Sequence, residues 1–162
     1  AAVIQGSKFA GANEWGALAA LDSTLAQARW TDPWYVESTQ LRADWRSRVT
    51  TPGRKRQLGD EALSLIDRLV VVAPGVGLYA LRTRAALAAE RPDAVVESIF
   101  AYGRTTIALA SSRATADRAV ARRNVANVLE LLQTVETMPG ADQKRIDQVR
   151  TALGVGLARL GA

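Results

Sequence analysis

Six basic side chains between positions 42 and 56 have the clearest chemical potential in this sequence of 162 residues. Guanidinium groups bind oxyanions through paired hydrogen bonds, so the cluster could contact phosphates of nucleic acid, anionic lipid headgroups or an acidic glycan. The alternative is a solvated helix end and loop, because Arg46 and Arg48 fall in a predicted last helical turn, where cations complement the helix dipole. We prefer this alternative, although only Asp44 opposes the cations within the stretch. The cluster comprises Arg42, Arg46, Arg48, Arg54, Lys55 and Arg56.

Aromatic side chains gather at a second place, around a predicted turn at positions 30–35. Exposed rings there would form a stacking platform for sugars or bases. Buried rings would instead fill the space between helices, and Trp34, Leu41 and Trp45 have the spacing of a helical core stripe. We prefer the core interpretation for this group and keep Trp30 as the candidate for an exposed ring that contacts a partner.

No arrangement typical of catalysis is present in the sequence. The absence of histidine and cysteine removes the commonest general base, the commonest zinc ligand and thiolate chemistry. The carboxylates are scattered, without the spacing of an acid/base pair. The run Gly75-Val76-Gly77 lacks the later glycine and the lysine of a phosphate-binding loop. We therefore expect a non-catalytic chain without cofactor or metal, so that any catalytic part of a parent protein would lie outside it.

The composition indicates which elements must position these groups. Apolar residues make up 48% and charged residues 23% of the chain, as in ordinary globular proteins. Alanine and leucine are abundant and strand-like alternation is nearly absent, so the fold should be all-α. We predict a lead or linker segment over residues 1–12 and one helical domain over 13–162. No apolar run is long enough for a membrane span, and the net charge of +5 favours anionic partners.

Helical periodicity is clearest between Asp60 and Ala89. The first half carries an apolar stripe through Ala62 and Ile66 with Asp60 in its first turn, and Pro74 ends it. Small residues such as Ala88 and Ala89 in the second half would let a neighbouring helix approach closely. The same reading predicts about seven helices in antiparallel hairpins. They cover approximately 13–29, 32–49, 60–73, 75–89, 94–110, 115–138 and 142–160, with a turn at 50–56.

The spacing of Ala62, Ile66 and Pro74 resembles the tetratricopeptide-repeat (TPR) superfamily, in which a small residue and a large apolar residue precede a helix-ending proline. Ala80 and Arg84 stand where that family favours tryptophan and glycine, and the period is near forty residues, so the resemblance is to a TPR-like array. It implies a right-handed stack of hairpins that acts as a protein-binding scaffold. A peptide or partner helix would lie along the second and fourth helices, with Arg82 or Arg84 anchoring its carboxylates.

A weaker resemblance covers Leu25 to Trp34, a run similar to segments in the helical extensions of bacterial O-antigen ligases and polysaccharide polymerases. It implies a soluble part of a cell-envelope protein whose catalytic apparatus lies elsewhere, in a periplasmic or extracytoplasmic location, with the cytoplasm as the alternative. The start at Ala1-Ala2 fits a processed protein or an excised domain. The leading functional prediction is therefore a protein-interaction module. The alternative is a basic module that binds polyanions through residues Arg46 to Arg56, and the oligomeric state stays open.

Overall fold

The chain is all-helical in a computed structural model, which describes residue 19, residues 22–49 and residues 53–161. No strand occurs in these residues, so the all-α prediction is confirmed. A short helical stretch covers 22–25, while the predicted lead segment and residues 13–18, 20 and 21 of the predicted first helix lie outside the described residues. The six longer helices are α1 (Tyr35–Arg48), α2 (Lys55–Val72), α3 (Val76–Ala88), α4 (Pro92–Ala110), α5 (Thr115–Glu136) and α6 (Gln143–Gly161).

Helix α1 begins later than the sequence indicates. The helix predicted over approximately 32–49 begins only at Tyr35, and Trp34 occupies the N-cap position without a capping side-chain hydrogen bond. The carboxylate of Asp32 instead accepts a hydrogen bond from the Arg29 backbone N–H at 2.7 Å. Because this carboxylate stabilises the turn before the helix, it does not cap the helix that follows.

Helix α2 begins earlier than predicted, at Lys55 and not at Asp60. Gly53, with a φ of +81°, forms the described part of the predicted turn, and this backbone angle suits glycine. The predicted loop residues Lys55 and Arg56 therefore belong to the first turn of α2, which holds no acidic residue. Asp60 therefore lies beyond the first turn in which we predicted it, and its Oδ1 pairs with Arg91 Nε at 3.0 Å.

The described residues form two compact units, and the boundary between them crosses α3. The first unit contains α1, α2 and residues 84–91, and α1 packs against α2 over a core that includes Trp45 and Ile66. A Cβ added to Gly59 would come within 2.7 Å of the Ala88 carbonyl carbon. Helix α2 therefore meets the end of α3 at backbone distance, as the small residues there predict.

A left-handed residue ends α3. Glu90 has a φ of 56°, the Arg91 N–H donates to the Ala86 carbonyl at 3.0 Å, and the Glu90 N–H donates to Leu87 at 3.2 Å. These two bonds form a Schellman motif, in which glycine is the preferred residue at the left-handed position. Glutamate at this position carries a conformational cost that glycine would not.

The second unit contains residues 75–83 together with α4, α5 and α6, and these three helices pack on one another. Contacts between α4 and α6 occur in the same order along both helices: Glu97 meets Arg145, and further along a Cβ on Gly103 would fall against Leu153. Helices α4 and α6 therefore run in the same direction. Helix α5 buries an apolar stripe at Ala121, Val125, Leu132 and Val135.

Candidate functional site

Two arginines of the predicted basic cluster are held by a carboxylate from outside it. Asp22 Oδ1 lies 2.6 Å from Arg46 Nη1 and Oδ2 lies 2.8 Å from Arg46 Nη2, so the pair is bidentate. Arg42 Nε donates to the same Oδ1 at 2.9 Å, and Arg46 Nε donates to Glu61 at 3.1 Å. The structure thus brings Asp22, α1 and α2 together through the Arg46 guanidinium.

This network lies largely away from water, and the Arg46 side chain is only 8% exposed. Burial by itself raises the pKa of Asp22, but the hydrogen bonds and charges of Arg46 and Arg42 outweigh it and hold that pKa below its ordinary value. Burial likewise disfavours charged Arg46, while Asp22 and Glu61 raise the pKa of the guanidinium. Both partners stay ionised, and the cation of Arg46 is used inside the fold.

Asp44 similarly pairs with two further predicted site residues. Its Oδ2 lies 2.8 Å from Arg48 Nε and its Oδ1 lies 2.5 Å from Arg84 Nη1. Both arginine side chains remain about half exposed. These two guanidinium groups therefore reach solvent, but each one already has a carboxylate partner.

Arg82 has a connecting role in the second unit. Its Nη1 donates to the Ala94 carbonyl at 3.2 Å and to Ser98 Oγ at 2.9 Å, and its Nη2 lies 3.5 Å from Glu97. The side chain is mostly buried and links α3 to the first turns of α4. The Arg82 guanidinium therefore bonds groups of this chain. The sequence analysis proposed Arg82 or Arg84 as the anchor for a carboxylate of a partner.

Three cations of the cluster have no ion-pair partner within the described ranges, namely Arg54, Lys55 and Arg56. All three are exposed and follow one another at the start of α2. Positive charge is unfavourable at this end of a helix dipole, so helix stability does not account for these three side chains.

The solvent exposure of the tryptophans differs in part from the prediction. Trp30 is 78% exposed, as expected for a candidate contact residue, and Trp45 is buried. Trp34, which we predicted in the core with Trp45, is 63% exposed. That prediction is wrong because α1 begins at Tyr35, so Trp34 precedes the first helical turn and lies outside the buried stripe.

An apolar groove in the second unit escaped the sequence analysis. It encloses about 260 Å³ between the end of α4, the start of α5 and the first residue of α3, and we call it the α4–α5 groove. Leu109 is 53% exposed and Val120 is about equally exposed, so two large aliphatic side chains on adjoining helices share one exposed apolar surface. The lining residues are Val76, Thr106, Leu109, Ala110, Arg113, Asp117, Val120, Ala121 and Asn124.

Polar groups at the groove also lack partners. Thr106 is 9% exposed and its hydroxyl has no hydrogen-bond partner among the described residues. Arg113 and Asp117 form no ion pair within the part of the chain that the structure describes. Leu109 and Val120 lie beside the apolar stripes of their helices, at positions that a one-stripe reading assigns to solvent. Their position beside the stripes was the one indication of the groove that the sequence offered.

A second depression, of about 520 Å³ in the first unit, is lined by charged groups such as Arg42, Arg46, Asp60 and Glu61. Each of these four already contacts an oppositely charged side chain, and among the charged lining residues Arg68 alone has no ion-pair partner within the described ranges. The described residues hold no group of carboxylates that could bind a metal ion. The depression therefore offers fewer unpaired groups to a ligand than the α4–α5 groove does.

None of the described helices combines the length and the hydropathy of a membrane span. The fold and its sites therefore place the chain in a broad class, that of all-helical proteins with an exposed apolar groove. No protein-family model, no curated protein and no solved structure matches this chain.

Proposed function

We propose that this chain is a non-catalytic protein-interaction or scaffolding module built as a TPR-like array of antiparallel helical hairpins. The observation that carries this proposal is the α4–α5 groove, where half-exposed Leu109 and Val120 adjoin charged groups that form no ion pair with any described residue. The common direction of α4 and α6 supports a hairpin array, because alternate helices are parallel when neighbours are antiparallel. Exposed apolar surface of this kind marks sites where other proteins bind.

Peptide selection tests this function. The whole chain should enrich sequences from a displayed peptide library, and the selected peptides should bind with micromolar affinity that changes little between about 50 and 200 mM salt. Replacing Leu109 by aspartate should weaken binding at least about tenfold, since the apolar anchor would meet a carboxylate. The matched control is Val155→Asp, because Val155 is equally exposed on α6 but does not line the groove. Selection that enriches nothing would refute the proposal.

A second candidate function is polyanion binding, favoured by the three exposed cations Arg54, Lys55 and Arg56. Three phosphate contacts would reduce affinity for duplex DNA about 40-fold between about 50 and 200 mM salt, from a slope of about −0.9 per contact. Changing these three residues to glutamine should abolish the binding. The control with the same charge change replaces Arg122, Arg123 and Lys144, which are also exposed cations without ion pairs to described residues.

The wider proposal is that the chain is the soluble extension of an extracytoplasmic polysaccharide ligase or polymerase. It is supported by the run from Leu25 to Trp34 described above. Membrane spans immediately upstream in the full-length gene product are the expected finding, and an upstream cytoplasmic enzyme domain would contradict it.

A further inference from the structure

Resting on the proposed function, we infer that the α4–α5 groove binds a short amphipathic helix of a partner protein. This helix inserts one or two large apolar side chains between Leu109 and Val120. It places an acidic side chain against Arg113 and a basic one against Asp117. Three properties of the groove, namely its size, its charges and its floor, lead to this ligand.

The size of the groove distinguishes a linear segment from other occupants. A volume of about 260 Å³ is close to the lower limit of the range of about 300–1,000 Å³ that is usual for small-molecule and cofactor sites. It suits apolar side chains, since a cavity of about 150 Å³ accommodates benzene. Nine residues line the groove, whereas a standard interface between globular proteins uses about 20–30 residues on each side. A short segment therefore fits better than a folded face or a second copy of this chain.

The charges at the groove determine which flanking residues the segment needs. Two arginines of α6 have carboxylate partners: Arg145 pairs with Glu97 at 2.8 Å, and Arg150 pairs with Glu136 at 2.5 Å. Arg113 and Asp117 have none among the described residues, although they line the same groove. Opposite charges on a ligand would complement both groups, and like charges would oppose them, which gives binding a preferred orientation.

The floor of the groove adds a polar requirement. Thr106 keeps its hydroxyl buried and without a hydrogen bond to any described group, although threonine in a helix can bond a carbonyl of the preceding turn. Thr83 does this on α3, where its hydroxyl donates to the Tyr79 carbonyl at 2.9 Å. A rotation of the Thr106 side chain toward a bound helix would allow its hydroxyl to bond a polar group of the ligand. The hydroxyl would break no hydrogen bond to a described residue when it does so.

The test uses one peptide selected from a library of amphipathic helical sequences, labelled for fluorescence anisotropy. Changing Arg113 to glutamate should weaken binding about three- to tenfold, and reversing the facing acidic residue of the peptide to lysine should restore affinity to within about twofold. Asp117→Lys should likewise weaken binding, and changing the facing basic residue of the peptide to an acidic one should restore the affinity. Arg122→Glu is the control, because Arg122 is an exposed arginine of α5 that does not line the groove.

The outcomes separate this inference from the proposed function. Peptides that lose binding with Leu109→Asp but ignore Arg113→Glu and Asp117→Lys would overturn the charge order and leave the interaction module intact. A chain that selects no peptide at all would overturn both. A dimer in sedimentation that dissociates with Leu109→Asp would also overturn the inference, because a second copy would then occupy the groove.

Discussion

The Arg46 network gives the sharpest test of the physical account of the first unit. Replacing Arg46 by methionine retains a long apolar stem and removes the guanidinium, so the change isolates the charge and its hydrogen bonds from the packing. Among the described residues, Asp22 then keeps the bond from Arg42 at 2.9 Å alone, and Glu61 loses its contact with Arg46. We expect the variant to fold with clearly lower stability.

The magnitude follows from what each carboxylate retains. Removing one partner of a fully buried ion pair costs about 3–5 kcal/mol. Here Glu61 is 42% exposed and can rehydrate, and Asp22 retains Arg42, so the expected loss is lower, about 2–3 kcal/mol. Arg46→Lys keeps the charge without the planar fork and should lose about 1–2 kcal/mol. The control Arg48→Met removes a half-exposed pair with Asp44 and should cost less than about 1 kcal/mol.

Tryptophan fluorescence during urea unfolding is the suitable assay. Trp45 is buried in the first unit and no tryptophan follows it in the sequence, so its emission follows the first unit, whereas far-ultraviolet circular dichroism follows all helices. The free energy of unfolding from fluorescence should fall in the order wild type, Arg48→Met, Arg46→Lys, Arg46→Met. Equal stabilities for Arg46→Met and Arg48→Met, within about 0.5 kcal/mol, would refute the reasoning, because burial would then add nothing to the ion pair.

Four further predictions concern stability, each measured by urea unfolding. Thr106→Val should raise the free energy of unfolding by about 1 kcal/mol because it removes an unpaired buried hydroxyl, whereas Thr83→Val, which loses the bond to Tyr79, should lower it by a similar amount. Glu90→Gly should stabilise by about 1 kcal/mol through relief of the left-handed residue, and no gain would contradict the Schellman assignment. Gly59→Ala should destabilise by about 3 kcal/mol or more because its Cβ meets the backbone of α3, while Gly154→Ala, with open space around it, should stabilise by about 0.5–1 kcal/mol. Because the folded pKa of Asp22 is depressed, its stabilisation is present above its unfolded pKa of about 4 and is lost as pH falls through the folded value. Between about pH 6 and pH 3 the fluorescence midpoint should therefore fall more steeply in the wild type than in Asp22→Asn, and parallel slopes would contradict the pKa assignment.

Local periodicity accounts for much of the fold that sequence reasoning could predict. The stripe through Ala62 and Ile66 and the helix stop before Pro74 depend on neighbours three to twelve residues apart, and the structure confirms them. The start of α1 depended on whether the Asp32 carboxylate would cap the helix or accept a hydrogen bond from the Arg29 N–H in the preceding turn. The spacing of residues does not distinguish these two possibilities. Trp34 was therefore placed on the wrong side of the helix boundary.

The sites were harder to predict because charge pairing is a long-range property. Asp22 is 24 residues from Arg46 in sequence, and Asp44 is 40 residues from Arg84, so a count of charges within a window could not identify these partners. The window from position 42 to 56 appeared to hold only Asp44 against six cations. In the folded chain, carboxylates from outside and inside the window pair with Arg42, Arg46 and Arg48.

This pairing determines which basic residues can serve a partner. A guanidinium that already binds a carboxylate has part of its charge neutralised and part of its donors occupied, so its net contribution to affinity for a second anion is smaller. Arg46 and Arg82 are the extreme cases, because each also holds helices together and would destabilise the chain if it were released. Arg113 carries no such penalty, and neither do the three cations at the start of α2. Recognition by this chain should therefore depend on residues outside the ion-pair networks, which is why charge reversal at Arg113 should change peptide affinity without changing the free energy of unfolding by more than about 0.5 kcal/mol.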